Sequence, residues 1–283
     1  MRPASRAVLV TGCSRGIGRA TALALLERGW RVYATARNPD DLHDLERAGC
    51  RILALDVTDA ASRDAAVEAV TGREGAVGVL VNNAGISELG ALETFPADHV
   101  RRLFETNVFG MLALTQLVLP GMRAQRWGRV VNIGSMNGRF IWPGMGAYAA
   151  TKHAIEAFSD ALRYELRPLG VEVSLIAPGM VTTGLAIAAA DRARAAEDVP
   201  VWARFDARVV ELSRTWDSGA RRRFACAPED VADRVVRALE ARRPRARYRV
   251  APSAHLMLSL RRMLSERAFE RFLRTQFPSP RRE

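Results

Sequence analysis

The sequence predicts one α/β domain built on a doubly wound parallel sheet of about seven strands, with helices on both faces. Short apolar runs alternate with segments of helical periodicity. The runs are almost continuously apolar, which is typical of strands buried on both faces of a parallel sheet. Repeated strand–helix alternation implies right-handed crossovers, and hence helices on both faces. No linker, repeat or low-complexity segment divides residues 1–283, so we expect a single domain.

The predicted elements follow in order along the chain. Strands are predicted at residues 7–11, 31–36, 52–56, 77–82, 129–135 and 171–177, with a short edge strand at 248–250. The first four are rich in β-forming residues and bounded by Gly, Asp or Asn. Helices are predicted at residues 17–28, 39–48, 60–71, 96–125 and 148–167.

Two segments fit this alternation poorly. Residues 182–226 follow a Pro-Gly pair and combine an alanine-rich helical stretch with Trp202, Phe205, Trp216 and Phe224. An aromatic insertion after a late strand is typical of a substrate lid, although two helices packed on the body give the same pattern. Residues 253–275 place apolar side chains among arginines, which predicts an amphipathic helix or helix pair. Such a tail most often caps a core; contact with a membrane surface is the alternative.

The charge of the chain is strongly positive but scattered. There are 42 lysines and arginines against 31 acids, a formal net charge of +11. Most of the cations are spread through helical segments, so we expect no nucleic-acid partner. All but one of them are arginine, and the exception is Lys152. A position that keeps lysine in such a chain is expected to need a compact ammonium, whose pKa can be shifted.

Cysteine usage and the N-terminal segment predict a cytoplasmic protein. Cys13, Cys50 and Cys226 are an odd count at irregular spacings without a CxxC pair, so we expect a reducing compartment and no metal site. The apolar run before Thr11 is too short for a signal sequence. No apolar stretch is expected to approach the roughly 20 residues that span a bilayer.

A glycine-rich turn lies between the first predicted strand and the first helix. It contains Gly12, Ser14, Arg15, Gly16, Ile17 and Gly18. Glycines here permit a tight turn, let a phosphate approach the backbone, and let the helix pack closely on the strand. The helix N-terminus offers free N–H groups and a positive dipole end to a pyrophosphate. Because the Gly-x3-Gly-x-Gly spacing departs from the commoner fingerprint, a merely structural turn is the alternative.

The end of the second strand predicts NADP(H) as the cofactor. An acid there would bind the ribose hydroxyls of NAD, whereas a basic side chain accommodates the 2′-phosphate of NADP. This chain has Arg37 there and no acid before Asp40, and Arg15 can supply a second cation. Asp56 and Val57, at the end of the third strand, are placed to contact the adenine; Asp56 can equally cap the next helix.

Ser135, Tyr148 and Lys152 form a candidate proton-transfer set. Tyr148 and Lys152 are four residues apart on a predicted helix, so they share one face. A nearby ammonium favours the phenolate and lowers the tyrosine pKa from its ordinary value of about 10. The Ser135 hydroxyl can hold a substrate oxygen while the tyrosine gives or takes its proton. An isolated Tyr-x3-Lys pair is more often incidental, but the single lysine, the serine and the glycine-rich turn favour the functional interpretation.

These motifs, in this order and spacing, resemble the short-chain dehydrogenase/reductase family. The resemblance runs from residue 7 to residue 183. Besides the motifs above it includes Asn83, Ala84 and Gly85 after Asn82, then Asn107, and then Pro178 and Gly179 before Val181 and Thr183. It implies a Rossmann-type fold and hydride transfer between a nicotinamide cofactor and a carbonyl or alcohol carbon.

The same resemblance implies a role for each residue. Tyr148 is expected to be the acid/base and Ser135 to position the substrate. Lys152 is expected to bind the nicotinamide ribose and to tune Tyr148. Asn107 is expected to hold a water in the proton relay, which is compatible with a second role in stabilising a helix kink. The segment 83–85 is expected to line the cofactor cleft, and Val181 and Thr183 to meet the carboxamide.

Within the family, the chain is most similar to the branch of 17-beta-hydroxysteroid and retinol dehydrogenases, on the basis of residues 33–37, 174–176 and the tail. That branch implies an apolar substrate. Phe140, Ile141 and Trp142 are expected to wall its pocket, or else to pack internally. The family resemblance also implies a homodimer or homotetramer through the outer faces of the two long helices. A non-catalytic, dinucleotide-sensing protein on the same fold is the alternative function.

Overall fold

Parallel strands form the centre of the molecule, which a computed structural model describes at residues 5–193, 199–216 and 218–277. In chain order the strands are β1 (Ala7–Val10), β2 (Arg31–Ala36), β3 (Arg51–Ala54), β4 (Val79–Asn82), β5 (Gly128–Ile133), β6 (Val171–Pro178), β7 (Met180–Val181), β8 (Ala225–Cys226) and β9 (Arg247–Val250). Seven of them make one sheet in the order β3-β2-β1-β4-β5-β6-β9. All of its pairings are parallel, which confirms the predicted fold class.

The strand order reverses next to β1, which pairs with β2 on one side and β4 on the other. Val8 is in register with Val32 of β2 and with Val79 of β4. The strands that follow β1 are therefore added first on one side of it and then, from β4 onward, on the other. The carboxyl ends of β1 and β4 border a crevice of the kind in which α/β proteins bind ligands. Outside this sheet, β7 and β8 form a separate parallel pair.

Helices cover both faces of the sheet. They are α1 (Gly16–Glu27), α2 (His43–Ala48), α3 (Ala60–Glu74), α4 (Ala97–Phe104), α5 (Gly110–Ala124), α6 (Gly146–Leu166), α7 (Leu185–Arg192), α8 (Pro200–Thr215), α9 (Pro228–Glu240), α10 (Pro252–Met263) and α11 (Glu266–Arg274). Alternate residues of β1 enter two different cores: Val8 packs with α1 and α9, and Leu9 packs with α3, α5 and α6. Burial on both faces explains why the strands are apolar throughout.

The helix predicted at residues 96–125 is interrupted. A π-helical turn at Glu105–Phe109 separates α4 from α5, and Asn107 lies within it. The run Ala97–Ala124, taken together, is 28 residues long and apolar enough to cross a membrane by length and composition alone, contrary to the expectation. Half of its most apolar window is buried, and Leu114 and Val118 pack beneath the sheet. We therefore describe it as a core helix.

Helix α9 is absent from the elements that the sequence predicted. Pro228 occupies its first turn, and Asp230 accepts a hydrogen bond from the N–H of Ala227 (2.8 Å). Val231 and Val235 are buried against α1. These are ordinary start signals and apolar spacing, but the segment lies between two irregular stretches.

The two irregular segments are largely helical. The first, residues 182–226, contains α7 and α8; its residues 194–198 and 217 lie outside the described part. The tail, residues 253–275, contains α10 and α11. Phe269 of α11 packs edge-on against Phe140 at 5.7 Å between ring centroids. The tail thus covers the connection between Ser135 and Tyr148.

Candidate active site

A cleft of about 950 Å³ opens at the carboxyl edge of the sheet. Most of the predicted site residues line it: Gly12, Ser14, Arg15, Gly16, Ile17, Arg37, Asp56, Val57, Asn83, Ala84, Gly85, Ser135, Tyr148, Lys152, Pro178, Gly179, Val181 and Thr183. Two predicted residues, Gly18 and Asn107, lie behind its wall. The cleft therefore brings the glycine-rich turn and the proton-transfer set to one place.

The glycine-rich turn is shaped for close backbone approach. Gly12 adopts φ +72°, a conformation that favours glycine. A Cβ on Gly18 would lie 2.3 Å from the Gly12 carbonyl oxygen, so Gly18 lets α1 start directly against the turn. The N-terminus of α1 follows at Gly16, where free N–H groups and the helix dipole suit a pyrophosphate. The residues present thus fit a dinucleotide cofactor.

Thr11 fixes the turn to the neighbouring strand, a role that the sequence analysis missed. Its hydroxyl oxygen accepts hydrogen bonds from the N–H groups of Asn83 and Ala84, both at 2.9 Å. The Asn83 amide donates in return to the carbonyls of Thr11 (2.8 Å) and Gly12 (3.0 Å). A threonine at the end of β1 is the only sequence signal for this role, and it is a weak one.

Two cations border the cleft, one directly after β2 and one in the glycine-rich turn. Arg37 and Arg15 both line the cleft and are exposed, and neither forms an ion pair within the described residues. Asp56 accepts hydrogen bonds from the N–H (2.9 Å) and hydroxyl (2.7 Å) of Thr58. Burial acts to raise the pKa of Asp56, but these bonds and the charge of Arg37 hold it below its usual value. The next helix is capped by Asp59 rather than by Asp56.

Tyr148, Lys152 and Ser135 are all more than nine-tenths buried. The Lys152 Nζ donates to the Ile133 carbonyl (2.9 Å) and lies 5.6 Å from the centroid of the Tyr148 ring. The Ser135 Oγ accepts from the N–H of Asn137 (3.1 Å) and caps a short turn. Helix α6 thus presents the tyrosine and lysine on one face, opposite the serine at the end of β5.

The pKa values of this set differ from the expectation. Burial raises the pKa of Tyr148 to about 12, and a hydrogen bond with Ser135 offsets part of that rise. Burial also lowers the pKa of Lys152 to about 8. The expected lowering of the tyrosine pKa by Lys152 is therefore not seen: burial is the larger cause of the shift, and the group that offsets it is Ser135.

Asn107 stands behind the cleft and holds the loop that follows Gly85. Its Oδ1 accepts from the N–H of Ile86 (2.8 Å), and its Nδ2 donates to the Ile86 carbonyl (2.9 Å) and the Thr151 hydroxyl (3.1 Å). Asn107 lies in the π-helical turn, which is a helix irregularity of the kind expected at this residue. Both Nδ2 hydrogens are used in this way, so the expected water would have to be held by the remaining lone pair of Oδ1 or by the main chain.

An apolar wall faces the proton-transfer set. Trp142 and Met145 contribute from the connection before Tyr148, Leu185 from α7, Val209 from α8 and Phe277 from beyond α11. Of the three side chains expected here, Trp142 lines the cleft. Phe140 packs internally against α11, and Ile141 is half exposed.

Two further cleft residues escaped the sequence analysis. Ser87 and Asn137 line the cleft and are 2% and 3% exposed. The Ser87 Oγ and the Asn137 Oδ1 have no hydrogen-bond partner in the part of the chain that the structure describes. No sequence pattern shows which buried polar atoms will lack a partner.

Known proteins are similar to this chain in both sequence and fold. The family model described as short chain dehydrogenase matches residues 6–194. An uncharacterized oxidoreductase of Escherichia coli, YbbO, is 35% identical over 272 residues, which are 95% of this chain and 94% of the relative. The NADPH-dependent 3-dehydrocapnine reductase of Ornithobacterium rhinotracheale is 33% identical over 94% of this chain and 95% of its own length.

The fold has a counterpart among solved structures. A short-chain dehydrogenase from Streptomyces avermitilis superposes with a TM-score of 0.79 at 33% identity. The match covers 97% of this chain and 99% of that one. The similarity therefore includes the cleft-bordering helices and the tail as well as the sheet.

Proposed function

The chain belongs to the short-chain dehydrogenase/reductase family of oxidoreductases, and we propose that it interconverts a carbonyl and an alcohol on an apolar substrate with NADP(H). One observation carries the proposal: Tyr148, Ser135 and Lys152 lie buried in the cleft that the glycine-rich turn and Arg37 also line. A dinucleotide site and a proton-transfer set in one enclosed cleft suit hydride transfer coupled to proton transfer.

The side chains divide the chemistry between them. When bound, the nicotinamide supplies or accepts the hydride at the substrate carbon. Ser135 donates a hydrogen bond to the substrate oxygen. Tyr148 gives that oxygen its phenolic proton in reduction and takes the proton back in oxidation. An ammonium has three N–H groups, and Lys152 uses one on Ile133, so two remain to hold ribose hydroxyls.

Preference for NADP(H) rests on Arg37 and Arg15, two exposed cleft cations without ion pairs in the described part of the chain. The NADPH-dependent reductase of Ornithobacterium supports the same preference. Replacing Arg37 with alanine is expected to raise the Kd for NADPH about tenfold or more, the scale of a lost charge-assisted contact to phosphate, and to change the Kd for NADH little. Arg47→Ala, an exposed arginine outside the cleft, is the control. Equal losses for both cofactors would refute the phosphate role.

The apolar wall supports an apolar substrate, and the cleft-lining helices α7 and α8 support the proposal that residues 182–226 act as a lid. We further propose that one domain carries the whole activity in the cytoplasm. Exposed Phe109 and Leu117 on the outer face of the first long helical run support a homodimer or homotetramer. Sedimentation of the purified protein tests the oligomer directly.

The test of the proposal is turnover of a panel of ketones and aldehydes, from small polar ones to bulky apolar ones. Tyr148→Phe is expected to lower kcat at least about a hundredfold while NADPH still binds, because the ring remains and only the exchangeable proton is lost. Tyr164→Phe is the matched control, since Tyr164 lies on the same helix and is 86% exposed. Retained turnover in Tyr148→Phe would refute the assignment. NADPH binding without turnover of any carbonyl would favour the dinucleotide-sensing alternative.

A further inference from the structure

A second cavity, which we call the arginine recess, adjoins the active-site cleft. Its volume is about 460 Å³, and it is lined by Arg204, Arg208, Arg274, Thr275, Gln276 and Phe277. Gln276 and Phe277 also line the cleft, so they belong to a wall that the two cavities share. The Phe277 ring packs against Trp142 of the cleft at 5.6 Å between ring centroids. The recess is therefore an immediate neighbour of the apolar end of the cleft.

Helix α8 borders both cavities. Arg204 and Arg208 line the recess, whereas Leu212 and Trp216 line the cleft. Successive members of this series are four residues apart, so they follow one side of the helix at intervals of about 6 Å along its axis. The side of α8 that borders the cavities is therefore cationic in its first half and apolar in its second.

The recess is cationic and open to solvent. Arg204 and Arg274 are exposed, and Arg208 is partly exposed. Arg208 donates to Glu211 at 2.8 Å, and Arg274 donates to Glu270 at 2.6 Å. Neither of these acids lines the recess. Arg204 forms no ion pair in the part of the chain that the structure describes.

Three guanidinium groups around one recess repel one another. Arg204 and Arg208 are four residues apart on α8, a spacing at which like charges destabilise a helix. A guanidinium has five N–H donors, and the acids beside Arg208 and Arg274 use only some of them. An anionic oxygen group would offset the repulsion and accept several of these donors at once. Carboxylates and phosphates match the planar geometry of guanidinium groups.

We propose that the arginine recess binds a carboxylate or phosphate carried by the substrate. The inference rests on the proposed carbonyl chemistry and narrows its substrate class to an apolar molecule with an anionic end. None of the proton-transfer residues lines the recess, so the anion lies away from the reacting carbonyl. The apolar part of the substrate lies along Leu212 and Trp216, and its anion lies among the three arginines. Because the recess is open, the anion keeps part of its hydration, which limits the cost of desolvation.

The test uses ketones of several chain lengths, each with a methyl, methyl ester, carboxylate or phosphate end. At the length that reaches the recess, the native enzyme is expected to favour an anionic end over the methyl end by about fivefold or more in kcat/KM, the scale of partly exposed ion pairs. The uncharged ester should resemble the methyl end, and the larger of the two anionic preferences identifies the anion. The preference should fall as NaCl rises from about 0.01 M to about 0.15 M, since the Debye length shortens from about 30 Å to about 8 Å.

The possible failures are distinguishable. Equal kcat/KM for charged and uncharged ends at every chain length would overturn this inference and leave the proposed function standing. No turnover of any carbonyl, charged or uncharged, would overturn the proposed function and this inference with it.

Variants separate anion binding from a structural role. Arg204→Gln and Arg274→Gln each remove one charge, from two different helices, and are each expected to lower the anionic preference at least about twofold. Arg204→Lys keeps the charge and should recover part of that preference. Arg237→Gln is the matched control, because Arg237 is exposed on α9 outside both cavities, and it should keep the native preference. An unchanged preference in both recess variants, or an equal fall in Arg237→Gln, would contradict the proposal.

Discussion

Alanine at Gly18 tests whether close packing of α1 against the glycine-rich turn creates the cofactor site. The added Cβ would lie 2.3 Å from the Gly12 carbonyl oxygen and 2.4 Å from the Asn83 Nδ2, whereas real Cβ contacts essentially never fall below 3.0 Å. The shortfall against the carbonyl is about 0.7 Å, and that atom is backbone held by the Asn83 amide. Overpacking of this kind costs about 1–3 kcal/mol.

The chain can meet this cost in two ways, so two measurements are needed. If the turn shifts, the Kd for NADPH rises, by tenfold for each 1.4 kcal/mol. If the turn holds, the free energy of unfolding falls instead. We expect the two losses, from fluorescence titration and urea unfolding, to total about 1–3 kcal/mol. Gly72→Ala is the control, because it is exposed in α3 with nothing within 4 Å and should add about 0.5–1 kcal/mol of stability. Unchanged affinity and stability in Gly18→Ala would refute the reasoning.

Two further variants test the proton-transfer set and its support. The pKa of Lys152 is 10.5 ordinarily and about 8 in the fold, so between these pH values the unfolded chain holds a proton that the folded chain does not, and stability rises with pH. Lys152→Met cannot titrate at this position. Across that pH window, the free energy of unfolding of the native chain, measured in urea, should therefore rise by about 1–3 kcal/mol relative to that of the variant. Parallel plots of unfolding free energy against pH would contradict the pKa shift. Glu156, buried on α6, accepts from Arg139 beside the Ser135 turn (2.7 Å) and from Arg247 of β9 (2.6 Å). Glu156→Gln should lower the free energy of unfolding by about 1–3 kcal/mol and slow turnover severalfold, with exposed Glu165→Gln as control; a variant like native in both would show that this cluster does not position the turn.

Sequence periodicity predicts the sheet because its strands are buried on both faces. Alternate residues of β1 enter different cores, and this produces the continuous apolar runs. The same signal fails where a segment has irregular neighbours or is itself irregular. Helix α9 has a proline start and apolar spacing but lies between two irregular stretches. The π-helical turn at Asn107 depends on hydrogen bonds to Ile86 and Thr151, which are distant in sequence.

Some residues of the site can be predicted from local sequence patterns, whereas others depend on contacts between distant parts of the chain. The glycine-rich turn and the Tyr148–Lys152 pair are local patterns whose chemistry depends on spacing, and all of them except Gly18 line the cleft. Thr11, Ser87 and Asn137 have no such pattern. Their importance comes from what strands and loops far apart in sequence do or do not place against them. The pKa of Tyr148 likewise depends on burial, which spacing does not encode.

The solitary lysine makes the chemistry of this cleft directly observable by spectroscopy. Because Lys152 is the only lysine among 42 basic residues, growth on lysine labelled with ¹³C at Cε yields a protein with one labelled side chain, buried beside Tyr148. Its chemical shift moves when the amine loses its proton, so one titration followed by NMR reads the charge of this group without interference from the rest of the molecule. The same resonance responds to any ligand that approaches the ammonium, and serves as a built-in reporter for screening cofactors and inhibitors.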